Sequence, residues 1–161
     1  MNAFKITTIF FFTLLITLQV NSQNNFKKDS ADVHQVILNL FDGMRAGDST
    51  KVHFAFYNKV SIYTSYKSKT GEKQLKKGSL DNFLNAIGTP HIGIWDERIS
   101  NTVIQIDGNL AQVWTYYAFY IDDKFSHCGV DAFQLVKDKK DNWKIMNLID
   151  TRRMENCIIN N

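Results

Sequence analysis

The chain has 161 residues, of which 44% are hydrophobic and 22% are charged, and its formal net charge is +3. This length and composition fit one globular domain with a core of its own. So small a positive excess argues against a nucleic-acid partner, because duplex binding requires a clustered basic face. The lysine-rich segment 67–77 contains Gly71 and is predicted to be a solvated loop.

Residues 1–22 have the pattern of a secretory signal peptide. Lys5 precedes the almost wholly apolar stretch 6–20, which is shorter than the ~20 residues of a membrane span. Small or medium residues then place signal cleavage near Ser22/Gln23. We therefore expect a secreted or periplasmic protein without a stable membrane anchor; an uncleaved N-terminal anchor is the alternative.

The remaining sequence divides into three segments. A polar leader covers residues 23–28, the folded domain covers 29–156, and a short tail covers 157–161. Cys128 lies in the domain and Cys157 in the tail, so a disulfide requires the tail to fold back. An exported protein allows that bond. Both the paired and the free state stay open, because the Cα separation decides between them.

The first part of the domain predicts two helices. Apolar residues between positions 33 and 44 recur at spacings of three and four, which places them on one stripe of a helix. Asp29 or Ser30 is predicted to cap this helix, and Gly47 is predicted to end it. Asp48 is predicted to cap a second, shorter helix.

A strand and a third helix follow. Residues 60–66 alternate with β-branched and aromatic side chains, which predicts a strand. After the lysine-rich loop, Ser79 is predicted to cap a helix with its apolar residues on one face. The segment 88–90, which contains the single proline of the chain, is predicted to close that helix.

The rest of the domain predicts four long strands, because its apolar residues alternate with period two. Asp107-Gly108, Asp122-Asp123 and residues 138–142 are the predicted turns. Four such strands in succession form an antiparallel meander that curls over the helices packed on it. The predicted fold class is α+β, with a cone-shaped, strongly curved, mostly antiparallel sheet wrapped over three N-terminal helices. The four strands are Ile92–Ile106, Leu110–Ile121, Phe125–Val136 and Trp143–Thr151.

The tight turns predict a register for this sheet. Two-residue turns place Trp114 opposite Asp131 and Ala118 opposite His127. Trp114, Tyr116, His127 and Asp131 are then expected on the bulky inner face. The alternate residues of the third meander strand are small and are expected on the outer face. Because a small outer face suits contact with a second sheet, we expect a homodimer through it.

The order helix, Gly-Asp, short helix, strand, helix and four-strand meander resembles the nuclear-transport-factor-2-like superfamily. The stretches 114–120 (WTYYAFY), 125–131 (FSHCGVD) and 150–153 (DTRR) resemble its exported bacterial members, which are called SnoaL-like or putative lumazine-binding. The resemblance covers about residues 29–153. It implies a small-molecule pocket. It transfers no catalytic residue, because the enzymes of the superfamily share a cavity and not a catalytic signature.

Seven residues are candidates for contact with a ligand. The aromatic candidates can stack on a cyclic ligand or simply belong to the core. Two of the polar candidates, His127 and Asp131, are also the candidates for a general base, and the alternative is that both make structural hydrogen bonds. Asp150 and Arg152 can line a pocket mouth or form structural pairs with neighbouring charges such as Glu97 or Arg98. The seven candidates are Trp95, Trp114, Tyr116, His127, Asp131, Asp150 and Arg152.

Three functions remain open from the sequence. The leading hypothesis is an exported SnoaL-like domain that binds a small hydrophobic or cyclic molecule in a central pocket. The second is a cofactor-free lyase, isomerase or hydrolase that moves a proton with His127 or Asp131. The third is a non-catalytic dimerisation module whose pocket is filled by its own side chains. No metal site or cofactor is expected, because ligand-spaced His or Cys pairs and a glycine-rich phosphate loop are absent from the sequence.

Overall fold

The computed structural model describes residues 26–158 of the protein. The predicted signal peptide, residues 1–22, lies outside this range, as do residues 23–25 of the predicted leader and residues 159–161 of the tail. Among residues 26–158, no helix is both long enough and apolar enough to cross a membrane.

Three helices precede the meander: α1 spans residues 26–46, α2 spans Ser49–Ala55 and α3 spans Leu80–Gly88. Gly47 ends α1 as predicted, with a left-handed φ of 66° that glycine adopts without a Cβ clash. The predicted caps of the other two helices are also confirmed. The Asp48 carboxylate accepts a hydrogen bond from the amide of Lys51, and the Ser79 hydroxyl accepts one from the amide of Asn82.

The beginning of α1 differs from the prediction. Residue 26 is already helical, so neither Asp29 nor Ser30 is the N-cap. Instead, the Asp29 carboxylate lies 2.9 Å from Lys137 Nζ and accepts a hydrogen bond from Trp143 Nε1 at 3.1 Å. These partners belong to distant strands, and local sequence therefore gives no sign of them.

One mixed sheet faces the helices. Its strands are β1 Phe56–Lys67, β2 Lys73–Lys77, β3 Trp95–Asp107, β4 Leu110–Ile121, β5 Lys124–Lys137 and β6 Trp143–Arg152. The six strands have the order β2-β1-β6-β5-β4-β3, with β1 parallel to β6 and every other pair antiparallel. The sheet curves over the helices without closing into a barrel. The predicted α+β class and the meander from β3 to β6 are confirmed.

Strand β2 lies within the lysine-rich segment that was expected to be a loop. It pairs antiparallel with β1, and Lys76 lies opposite Thr64. β2 is a short edge strand, and four of its five residues are exposed. Its sequence therefore lacks the alternation of apolar residues by which a half-buried strand is predicted. Lysines on an edge strand also discourage pairing with another sheet.

A β-bulge in β5 changes the register that was predicted for the meander. The turn at Asp122-Asp123 has the predicted form, but the pairing shifts by one residue directly after it. Ser126 is the extra residue, so that Phe119 lies opposite His127. From that point Asp131 lies opposite Thr115 instead of Trp114. The turn before β4 lies one residue later than predicted. Its two residues are Gly108 and Asn109 instead of Asp107 and Gly108, and Asp107 pairs with Leu110.

Because of this shift, the residues of β4 lie on the face opposite to the predicted one. Most residues of β5 lie on the predicted face. Trp114 and Tyr116 lie on the outer face, where Trp114 is 44% exposed, so their predicted placement is wrong. Thr115 and Tyr117 face the helices instead, and both are buried. Asp131 lies on the inner face as predicted and is 3% exposed.

The core fills the space between the helices and the inner face of the sheet. Its fully buried members include Val33, Ile37, Leu40, Val113, Phe133, Leu135 and Ile145. The tail is attached to the sheet by a disulfide between Cys128 and Cys157, whose Cα atoms are 5.8 Å apart. Arg153 exchanges two backbone hydrogen bonds with Cys128, at 2.8 and 2.9 Å. Of the two states left open by the sequence, the structure has the paired one.

Candidate functional site

A cavity of about 500 Å³ lies between α1, α3 and the inner face of the sheet. Apolar side chains from both layers form much of its wall: Leu40, Phe41, Met44, Phe83, Phe133 and Leu148. Polar and charged side chains from all six strands complete the lining, among them Thr64, Lys76, Glu97, Tyr117, Asp131 and Asp150. This combination of apolar walls and a few convergent polar groups is typical of small-molecule sites.

A second, wider cleft of about 670 Å³ is bounded by α1, α2 and the turn between β5 and β6. It is more open to solvent than the inner cavity. Within residues 26–158, the one buried side-chain oxygen that lacks a hydrogen-bond donor belongs to Asp131, which lines the inner cavity. We therefore place the candidate site in the inner cavity.

Asp131 is the most deeply buried charged side chain of this site. Strand register places it directly between Thr115 on β4 and Asp150 on β6. No N–H or O–H group of the described residues donates to its Oδ2 atom. The carboxyl group of Glu97, from β3, lies within hydrogen-bonding reach. Two carboxylates can only accept hydrogen bonds, so these two groups bond to each other only when one of them carries a proton.

Burial favours that proton. It is the main cause that raises the pKa of Asp131 well above its usual range, and the neighbouring Glu97 and Asp150 carboxylates raise it further. Burial also raises the pKa of Glu97 to about 7, even though the hydrogen bond with Asp131 and the charge of Arg152 act in the opposite direction. Near neutral pH the pair therefore holds at least one proton, which is available to a ligand in the cavity.

Asp150 is the third carboxylate of the cavity and is better satisfied. Thr64 Oγ1 donates a hydrogen bond to its Oδ1 at 2.5 Å, and Tyr117 Oη lies 3.5 Å from its Oδ2. Arg152 Nη2 lies 3.9 Å from the same Oδ2 atom. Burial raises the pKa of Asp150, and these neighbours partly offset that effect. Tyr117 itself is fixed by a 2.8 Å hydrogen bond to the carbonyl oxygen of Thr151.

His127 lies beside this group but does not line the cavity. Its ring packs against those of Tyr117 and Phe119, with centroids 5.8 and 4.9 Å away. Its Nδ1 atom lies 3.0 Å from Ser126 Oγ. Burial, together with the positive charge of Arg152, lowers the pKa of His127 to about 4, so this imidazole is neutral at physiological pH.

The predicted site residues thus separate into two groups. Asp131, Asp150 and Arg152 line one cavity, whereas Trp114 and Tyr116 lie on the opposite face of the sheet. Trp95 also lies outside the cavity lining: its ring stacks on His91 at 4.2 Å and meets Phe119 edge-on at 6.2 Å. Of the alternatives for Asp150 and Arg152, the structure places both at the cavity together with Glu97. Arg98 instead pairs with Asp96 and Asp123.

Sequence reasoning missed Glu97, Thr64 and Tyr117 as residues of the site. Glu97 carried a usable signal, because it interrupts an apolar strand start at a position in phase with Trp95 and Ile99. Tyr117 was assigned to the wrong face by the unrecognised bulge. Thr64 had no signal, since its partner Asp150 is distant in sequence and the parallel β1–β6 pairing is not apparent locally. Within residues 26–158, no group of three or more His, Cys, Asp or Glu side chains is arranged to hold a metal ion.

A curved, mostly antiparallel sheet over three helices, with a polar-floored cavity between the layers, defines the nuclear-transport-factor-2-like class of α+β domains. Residues 28–149 match the family described as putative lumazine-binding, and the chain belongs to this family. None of the curated proteins matches the chain significantly.

Solved structures of bacterial proteins share this fold. An NTF2-like protein of unknown function from Shewanella baltica is 16% identical, with 80% of this chain and 96% of that chain covered and a TM-score of 0.61. A protein described as a putative scytalone dehydratase from Novosphingobium aromaticivorans is 13% identical over 82% and 89% of the two chains, with a TM-score of 0.65. A protein of unknown function from Mycobacterium tuberculosis is 10% identical over 81% and 75%, also with a TM-score of 0.65. At these identities the likeness concerns the fold alone.

Proposed function

We propose that this protein is an exported domain that binds a small molecule in the cavity between α1, α3 and the sheet. The observation that carries the proposal is the buried Asp131 carboxyl group, which lines the cavity and whose Oδ2 atom has no donor among the described residues other than the proton it can share with Glu97. A buried polar atom that this one proton leaves unpaired costs about 1–3 kcal/mol. A ligand that pairs with Asp131, or with the proton it shares with Glu97, offsets that cost.

The size of the cavity and the similar proteins support this function. A volume of about 500 Å³ lies within the range of about 300–1,000 Å³ that small-molecule sites occupy. The family is described as putative lumazine-binding, and one structural neighbour is described as a putative dehydratase. Both descriptions concern small molecules. The open volume also argues against the third function, in which the protein fills its own pocket.

Export is part of the proposal and is supported by two features of the chain. Residues 1–22 have the composition of a signal peptide. The disulfide between Cys128 and Cys157 is of the kind that persists in an oxidising compartment. Edman sequencing of the protein secreted or released from the periplasm is expected to begin near Gln23; recovery of the intact N-terminus in the membrane fraction would support the anchored alternative.

Native mass spectrometry tests the binding site. Protein purified under mild conditions is expected to carry a defined additional mass, which Leu148→Trp removes because Leu148 lines the cavity. Met146→Trp is the matched control, since Met146 lies on the same strand, is 36% exposed and does not line the cavity. Both variants are checked for cooperative thermal unfolding. Retention of the mass by Leu148→Trp, or its loss from both folded variants, would contradict a ligand in this cavity.

Proton-transfer catalysis is the second candidate, and the structure favours Asp131 over His127 for that role. Asp131 lines the cavity and holds a proton near neutral pH with Glu97, whereas His127 lies outside the lining. Asp131→Asn is expected to abolish any turnover found with a bound compound and to keep its binding, while His127→Ala keeps both. Loss of turnover in His127→Ala, with turnover kept in Asp131→Asn, would assign the role of general base to His127.

We also propose that the protein forms a homodimer through the outer face of the sheet. Strand register aligns Val103, Trp114, Ala132 and Ile149 in one uncharged row across β3, β4, β5 and β6. Three of these side chains are substantially exposed, at 56%, 44% and 38% for Val103, Trp114 and Ile149. A second copy turned about a two-fold axis presents the same row, so that each covers the other.

A further inference from the structure

Two basic side chains line one side of the cavity, Lys76 on β2 and Arg152 at the end of β6. Both are exposed, so this side is the mouth of the cavity. Arg152 lies 3.9 Å from Asp150. Within residues 26–158, Lys76 does not lie within ion-pairing distance of any acidic side chain. The mouth therefore carries positive charge that its own neighbours leave uncompensated.

The acidic groups deeper in the cavity do not cancel this charge. Glu97 and Asp131 hold at least one proton between them near neutral pH, because burial raises the pKa of both. Asp150 accepts its hydrogen bond from Thr64 and lies near Arg152. A ligand that enters thus meets the uncompensated charge of Lys76 at the mouth and a partly neutralised acid cluster at the floor.

The distance between mouth and floor sets the size of the ligand. Lys76, Thr64, Asp150 and Asp131 lie opposite one another on β2, β1, β6 and β5, which makes one row across four neighbouring strands. Since neighbouring strands lie about 4.8 Å apart, this row is about 14 Å long from backbone to backbone. The side chains at its two ends shorten the free space to the length of one or two rings. Apolar side chains such as Phe83 and Leu148 face the space between them.

From this arrangement we propose that the ligand is an organic anion with an apolar body of one or two rings, bound with its anionic group against Lys76 and Arg152. The inference rests on the proposed function, because it assigns the chemical class of the molecule in the same cavity. Charge at the mouth selects the anion, and the apolar walls hold its rings.

Two fluorescent probes with the same ring skeleton test the inference. 8-Anilinonaphthalene-1-sulfonate carries a sulfonate, and N-phenyl-1-naphthylamine is the same skeleton without it. The sulfonate probe is expected to bind the purified protein at least about ten-fold more tightly at low salt, and its advantage shrinks as salt rises. Lys76→Gln is expected to weaken the sulfonate probe about two- to five-fold and to leave the neutral probe within about two-fold. Lys73→Gln is the matched control, since Lys73 is exposed on the same strand and does not line the cavity.

The outcomes separate this inference from the proposed function. Equal affinity for both probes, or no effect of Lys76→Gln beyond that of Lys73→Gln, would overturn the anionic class while a cavity ligand stands. Failure of both probes to bind, or binding that survives Leu148→Trp in the folded protein, would overturn the cavity site and the inference with it. A weaker sulfonate advantage in Lys76→Gln, and not in Lys73→Gln, is the result that supports the inference.

Discussion

Replacement of Glu97 by glutamine tests the buried acid pair through its effect on stability. Glu97 contacts Asp131 and lies near Asp150 and Arg152, and burial raises its pKa from 4.5 to about 7. The folded protein therefore keeps this proton to a higher pH than the unfolded chain does. Glutamine has nearly the same shape, cannot ionise, and offers an N–H donor to the unpaired Oδ2 of Asp131.

The sign of the effect follows from proton binding. Between pH 4.5 and about 7 the unfolded chain binds fewer protons at this residue than the folded protein, so the free energy of unfolding falls as pH rises through that window. One pH unit of difference corresponds to about 1.4 kcal/mol, and the loss is therefore about 3 kcal/mol at pH 8. The Glu97→Gln protein escapes this loss. Asp131 adds to the gain, because its own pKa is raised partly by Glu97.

Urea unfolding at pH values from 4 to 8 measures this difference. The free energy of unfolding of Glu97→Gln, relative to the unsubstituted protein, is expected to rise by about 3 kcal/mol across the range. His127, whose pKa is lowered to about 4, destabilises both proteins at acid pH and cancels in the comparison. Glu72→Gln, at an exposed turn residue, serves as the control. A difference that stays constant within about 0.5 kcal/mol would refute the protonated pair.

Three further predictions concern the disulfide, a close backbone contact and the outer face. Cys157→Ser is expected to lower the free energy of unfolding by about 3–4 kcal/mol, measured by chemical denaturation. The substitution removes the disulfide to Cys128, which closes a loop across 29 residues and restricts the unfolded chain. Gly129→Ala is expected to cost about 3 kcal/mol or to prevent folding, since a Cβ there would lie 1.7 Å from the carbonyl oxygen of Thr151; thermal unfolding measures this. Trp114→Lys is expected to turn the proposed dimer into monomers in sedimentation equilibrium, because it puts charges in the apolar row.

Each of these predictions has a control. Reducing agent is expected to destabilise the unsubstituted protein and not Cys157→Ser; equal sensitivity of both would contradict the first. Gly108→Ala has open space at its Cβ position and only a positive φ of 55° to strain it, so a loss as large as that of Gly129→Ala would contradict the second. Phe54→Lys changes an exposed apolar residue of α2, away from the outer face of the sheet, and an equal loss of dimer there would contradict the third.

Much of the fold followed from local sequence because its signals are local. Gly47, Asp48 and Ser79 mark helix ends through backbone geometry and short-range hydrogen bonds. The period-two pattern and the turn at Asp122-Asp123 defined the meander, and alternation along β5 placed Asp131 on the inner face. These features depend on residues only a few positions apart, and they were enough to predict the class of fold.

The site itself was decided by tertiary structure. Because of the bulge at Ser126, the residues of β4 lie on the opposite faces from those predicted. Tyr117 therefore faces the cavity region, and Trp114 lies on the outer face. Glu97 meets Asp131 because the sheet curves, and Thr64 meets Asp150 because β1 runs beside β6. One extra residue in a strand reverses every side chain beyond it, and contacts between distant strands leave no mark on local periodicity. The sequence by itself therefore determined the layers of this protein, while the packing of those layers determined which side chains meet in its cavity.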